Sequence, residues 1–131
     1  MSLREFRYRP LRSRASTRLA RILPGSGSQG IVIELVEAHL KGHHRLDYVA
    51  LSYRWGDTTK DKAVMCNNCR LPITESLLVA LRRFRDPGQI NCRWIDQLCI
   101  DQSSNKERSR QVSLMGDIFR QAHKVIVWLG E

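Results

Sequence analysis

Two short stretches, residues 48–53 (YVALSY) and 125–129 (VIVWL), are apolar at nearly every position. A strand with one wet face alternates apolar and polar side chains, so unbroken runs of this length suit strands covered on both faces, as in a parallel sheet. A third segment, residues 93–100 (RWIDQLCI), reads the same way. Helical patterns lie between these runs. In residues 75–85, Leu77, Leu78, Leu81 and Phe84 recur at helical spacing, Thr74 is placed to cap the start, and Arg82, Arg83 and Arg85 favour the negative end. Asp86-Pro87-Gly88 stops that helix. Ser104 and Glu107 form a capping-box pattern ahead of a second helix, whose inward face is expected to carry Val112, Met115, Ile118, Phe119 and Ala122.

The first half of the chain reads as β-structure. Residues 17–23 and 31–39 are strand-like, with helix as a second reading of the later half of the latter. Residues 63–73 read as a hairpin turning at Asn67-Asn68, since asparagine tolerates positive φ. Strands alternating with helices argue for an α/β fold with a partly parallel sheet and flanking helices. The run 125–129 is expected to be a central strand. No helix follows to cover it, so the fold is expected to be incomplete at its C-terminal end, or to lean on a partner.

A chain of 131 residues suits a single domain. The net charge of +9 is uneven: residues 1–30 hold seven Arg and one Glu, which leaves only +3 for residues 31–131. The division is therefore into a basic lead-in containing the first strand (1–30) and the domain proper (31–131). Three readings fit the lead-in: a solvated entry to the domain, an organelle-targeting segment, or a nucleic-acid contact. Pro10 and Pro24 interrupt any amphipathic helix there, and only Phe6 and Tyr8 stand among the arginines, so the sequence gives little reason to expect nucleic acid. No apolar run approaches the roughly 20 residues needed to span a membrane.

In open α/β sheets, ligands gather beyond the carboxyl ends of the strands. The first apolar run delivers Ser52, Tyr53, Arg54, Trp55, Gly56 and Asp57 to such an end. The segment around Trp94 delivers Asp96, Asp101 and Gln102, and the following helix offers Glu107, Arg108 and Gln111 on its first turns. Were these brought together, carboxylates could hold a ribose, Trp55 could stack a base and an arginine could neutralise phosphate. The same residues also have plain structural readings: Asp57 as a turn cap, Glu107 as a capping-box residue, Trp55 and Trp94 as core. Gly25, Gly27 and Gly30 match the glycine spacing of a dinucleotide-binding loop, but the β-branched run after Gly30 favours a hairpin connection. Cys66 and Cys69 have zinc-knuckle spacing, with Cys92, Cys99, His39, His43 and His44 as further ligands. A second close pair is missing, so neither a metal nor a cofactor is expected, and scattered cysteines point to a reducing compartment such as the cytoplasm.

Residues 48–57 (YVALSYRWGD) resemble the opening signature of the fungal heterokaryon incompatibility (HET) domain. Residues 92–102 (CRWIDQLCIDQ) are similar to its second signature, residues 107–112 with Met115 to its third, and residues 125–130 (VIVWLG) to its fourth. The lead-in segments 6–11 and 18–25 also resemble what precedes that domain. The resemblance implies a module of self/non-self recognition and programmed cell death when unlike hyphae fuse. Its partners would be other HET or death-signalling proteins, including further copies of itself. It also implies a distant likeness to TIR domains, some of which cleave NAD. The glutamate those enzymes use lies on the helix after the third core strand, beyond Glu131, so no catalytic residue carries over. On this resemblance the chain is expected to be the N-terminal part of a truncated domain, with enzymatic activity doubtful.

Overall fold

The computed structural model describes residues 3–42 and 46–129; His43 and His44 therefore lie outside the described residues. Among the described residues seven strands form one mixed sheet: β1 (Ser16–Ile22), β2 (Val32–His39), β3 (Val49–Tyr53), β4 (Lys62–Cys66), β5 (Cys69–Ile73), β6 (Asn91–Ile95) and β7 (Lys124–Trp128). The spatial order is β5-β4-β2-β1-β6-β3-β7. β3 runs parallel to both β6 and β7, and β2 runs parallel to β4. The pairs β1/β2, β1/β6 and β4/β5 are antiparallel. The fold is thus α/β with a partly parallel sheet.

Among the described residues three helices complete it: α1 (Glu75–Phe84), α2 (Asp96–Cys99) and α3 (Asn105–Gln121). Strand residues alternate between faces, and the register puts Trp94, Ala50 and Val125 on one face and Ile95, Leu51 and Ile126 on the other. α3 packs on the first face, where Phe119 meets Trp94 edge-on at 5.6 Å. α1 packs on the second, where Phe84 meets Trp128 at 5.4 Å. The Thr74 hydroxyl accepts from the Leu77 amide, and α1 buries Leu77, Ala80 and Leu81. Each buried leucine contributes roughly 1.5–3 kcal/mol. Among the described residues, no helix is long and apolar enough to cross a membrane.

The glycine-rich loop is a hairpin connection between β1 and β2, with Gly27 at φ +59°. The carbonyls of Gly27, Gln29 and Gly30 accept from the Arg85 guanidinium. The loop thus offers carbonyls to a cation, the reverse of a phosphate cradle, which offers N–H groups to an anion. The hairpin at residues 63–73 turns at Asn67 (φ 50°) and Asn68 (φ 65°), as the asparagine pair predicts.

Four expectations need correction. The segment after Trp94 leaves the sheet at Ile95 and coils into α2. Leu98, Cys99 and Ile100 are buried there, and a run this short fits a helical turn as well as a strand. On α3, Val112 is 62% exposed while Gln111 is fully buried; Ile118 is buried, and Met115, Phe119 and Ala122 pack partly against the core. The buried amide is tolerated because its oxygen and its nitrogen each find a partner on β1. Among the described residues β7 is an edge strand, paired with β3 alone. Its inner residues Ile126 and Trp128 pack on the core, whereas Val125, Val127 and Leu129 stay exposed. An apolar run reports what a strand can bury, not its place in the sheet.

The fourth concerns the lead-in, whose described part is a packed strap rather than a solvated entry. The Phe6 amide donates to the Arg70 carbonyl and the Arg70 amide to the Arg4 carbonyl, so the strap covers the outer edge of β5. Phe6 and Tyr8 turn inward, and the Tyr8 hydroxyl donates to the Leu98 carbonyl at 2.7 Å.

Candidate functional site

The carboxyl ends of β3 and β6 lie side by side because the two strands are parallel neighbours. There the structure joins part of the expected set. The Trp55 indole donates to Asp96 Oδ1 at 3.2 Å, the Tyr53 hydroxyl donates to Gln97 Oε1, and the Gln102 amide donates to the Asp96 carbonyl at 2.9 Å. Trp55 is therefore pinned through its ring nitrogen and half-buried. Gly56 follows with φ +65°, and a Cβ there would meet Ser76 Oγ at 3.2 Å, so the loop after β3 runs close over the start of α1. Asp57 accepts from the Thr59 amide at 2.9 Å, the turn-capping role expected of it, and this bond holds its exposed carboxyl below the usual range. Ser52, Arg54 and Arg108 are exposed.

A cavity of about 590 Å³ opens beside this loop. Tyr53, Arg54, Gly56 and Asp57 line it, together with Asp61, Glu75, Ser76 and Trp128. The last four are not legible as site residues in the sequence. Glu75 and Ser76 arrive because the β4–β5 hairpin delivers the N-terminus of α1 there, and Trp128 because β7 pairs with β3. Asp101 and Gln102 line a separate, smaller cavity of about 170 Å³ with Tyr8 and Leu77.

The rest of the expected set works elsewhere. Ser104 Oγ accepts from the Glu107 amide at 3.1 Å, which is half of a capping box. The Glu107 carboxylate does not complete the box; it grips the Arg18 guanidinium with two bonds of 2.7 and 2.8 Å. Arg18 also donates to the carbonyls of Cys99 and Arg9 and lies over the Tyr8 ring at 5.0 Å. One turn on, Gln111 accepts from the Thr17 hydroxyl at 2.6 Å and donates to the Ser16 carbonyl at 2.8 Å, while the buried Trp94 indole donates to Thr17 Oγ1 at 3.0 Å. Trp94, Glu107 and Gln111 therefore clamp α3 to β1, a partner the sequence does not announce because it lies about 90 residues upstream.

Burial raises the Asp96 carboxyl above the usual range, partly offset by the Trp55 and Gln97 N–H donors. A carboxyl raised on folding favours the native state at pH values below its unfolded pKa, and this contribution is lost as pH rises through the folded value. Asp96→Asn keeps Oδ1 as acceptor. It is expected to raise the melting temperature at pH 7, leave it unchanged at pH 3 and flatten the profile between; thermal melts across that range check this.

Cys66 and Cys69 are cross-strand partners on β4 and β5. Among the described residues, no three His, Cys, Asp or Glu side chains stand together in a way that could hold a metal ion. Burial pushes the thiols of Cys66 and Cys99 up to about 12 and also raises Cys92. A thiol reagent at pH 8 is expected to reach Cys69 first and to modify Cys66 and Cys99 only after denaturation, since the thiolate is the reactive form. Mass spectrometry of labelled peptides with and without denaturant tests this.

The fold and its loops define an α/β protein whose sequence signatures end up on adjacent parallel strands and on the helix that clamps them. The model of the heterokaryon incompatibility protein (HET) family matches residues 48–131, so this chain belongs to that family. It is similar to Heterokaryon incompatibility protein 6, OR allele, of Neurospora crassa, with 41% identity over 99 residues. That stretch covers 63% of this chain and 14% of the relative. No solved structure matches.

Proposed function

We propose that this chain is a HET module, with residues 31–131 as the domain and 1–30 as its lead-in, acting in self/non-self recognition and programmed cell death in the cytoplasm. Contact with other HET or death-signalling proteins, or with further copies of itself, is its means of action. The family match over residues 48–131 carries this reading. The apolar row Val125, Val127 and Leu129, exposed among the described residues on the edge strand β7, supports contact with protein. Expression in a fungal host tests it. Loss of viability, or co-purification with a full-length HET protein, is expected, and Val127→Asp should abolish either. Full viability with no association would overturn the reading.

A second reading is favoured by the cavity beside β3: a TIR-like nucleotide site where Arg54 meets phosphate and the carboxylates of Asp57, Asp61 and Glu75 meet sugar hydroxyls. Incubation with NAD decides it: nicotinamide release or saturable binding supports this reading, and the absence of both removes it. Nucleic-acid binding through the arginine-rich start is a third; it requires binding that weakens steeply with salt.

A further inference from the structure

We propose that the concavity between the N-terminal strap and the β1–β2 pair binds a small molecule carrying several phosphate groups. This is independent of the incompatibility reading and uses none of the residues at the ends of β3 and β6. The concavity has a volume of about 1270 Å³. Its rim is formed by Arg4, Arg7, Arg9 and Arg12, and its floor includes Glu37 and His39 of β2.

The four rim arginines are exposed, and among the described residues their guanidinium groups make no ion pair or hydrogen bond. The neighbouring charges are spent. Arg18 is held by Glu107, and Glu5 is held by Arg70 at 2.8 Å. Glu37 accepts two bonds from the Arg12 amide at 3.0 and 3.1 Å, which fixes the strap above the strand. The surplus at the rim is therefore +4 against a single floor carboxylate.

The strap is also rigidly seated. The Arg9 carbonyl accepts from Arg18 Nη2 at 2.7 Å, and the backbone at Arg4 and Phe6 is bonded to β5. In an extended strap Arg7 and Arg9 point to the same side about 7 Å apart, close enough for both forks to meet one polyanion. A seated backbone spares a ligand part of the ordering cost of binding, while the arginine side chains themselves still have to order.

The aromatics separate a small phosphate ester from a single-stranded nucleic acid. Strand binders pair a basic groove with exposed rings on which bases stack. Here Phe6 and Tyr8 line the concavity but are half-buried and meet edge to face at 5.0 Å, the Arg18 guanidinium lies over the Tyr8 ring, and the Tyr8 hydroxyl is committed to Leu98. The groove offers four free guanidinium groups against two half-buried rings already engaged with each other and with Arg18.

Titration calorimetry of the full chain with sodium tripolyphosphate, and separately with a single-stranded oligodeoxythymidylate, tests the assignment. Saturable tripolyphosphate binding is expected, weakening with salt. Arg7→Ala with Arg9→Ala should reduce affinity about tenfold or more. Glu37→Gln keeps an acceptor for the Arg12 amide, removes the floor charge and should tighten binding. Arg82→Ala with Arg83→Ala, on α1 and outside the concavity, should leave affinity unchanged. Circular dichroism checks folding, and Arg7→Gln with Arg9→Gln replaces the alanine pair if that pair does not fold. No tripolyphosphate binding, binding indifferent to Arg7 and Arg9, or tighter binding of the oligonucleotide would each overturn the proposal.

Discussion

Glu107→Ala is expected to be among the most destabilising single changes in this protein. The Arg18 and Glu107 side chains are only 6% and 11% exposed, and the pair is bidentate. Removing the carboxylate leaves a buried guanidinium with only the Cys99 and Arg9 carbonyls and the Tyr8 ring as partners. Breaking a buried pair in this way costs about 3–5 kcal/mol. Set against a typical total of about 5–15 kcal/mol, that is a large share of the whole. The melting temperature should fall by roughly 10 °C or more. The double change Arg18→Met with Glu107→Leu should recover most of the loss, because a matched apolar pair removes both desolvation costs. A double-mutant cycle by denaturant unfolding measures the coupling. A Glu107→Ala protein that melts like the wild type would show that the clamp contributes nothing.

The second large effect is expected at Gln111. Gln111→Leu preserves volume but leaves the Thr17 hydroxyl proton and the Ser16 carbonyl without the partners they now have. Each orphaned buried polar group costs about 1–3 kcal/mol, so a total of about 2–6 kcal/mol is expected for the two. Trp94 still donates to Thr17 Oγ1, so the indole is not orphaned as well. Thr17→Val in the same background should not restore stability fully, because it strands the Trp94 N–H in turn. Urea unfolding at constant m separates these outcomes. Equal stability of wild type and Gln111→Leu would mean that Gln111 is free for a role outside the core.

These two residues explain why the candidate site was only partly legible. Spacing places Glu107 and Gln111 on the first turns of a helix beyond strand β6, and polar residues in such a place resemble ligand contacts. Their partners, Thr17 and Arg18, lie on a strand paired with β6 in the antiparallel sense, a pairing that no local pattern announces. The loop residues fared better. Tyr53, Trp55, Asp96 and Gln102 do converge, because they lie at or just beyond the carboxyl ends of β3 and β6, which are parallel neighbours. Asp61 and Glu75 were missed because they reach the cavity through the β4–β5 hairpin and α1, whose docking depends on burial of Leu77 and Leu81.

The sequence by itself determined the local elements. Side-chain periodicity, the Thr74 cap, the Asn67-Asn68 turn and the glycine-rich hairpin are properties of neighbouring residues, and each acts over a few residues. The HET signatures were likewise legible as strings. Tertiary structure alone decided that β1 sits between β2 and β6, that β7 lies at the edge, that the basic lead-in is a strap, and that a buried glutamine and ion pair hold α3 in place. Those outcomes depend on pairings between residues tens of positions apart. What selects them is the cost of leaving long-range polar groups unsatisfied and apolar faces wet, which no short window of sequence contains.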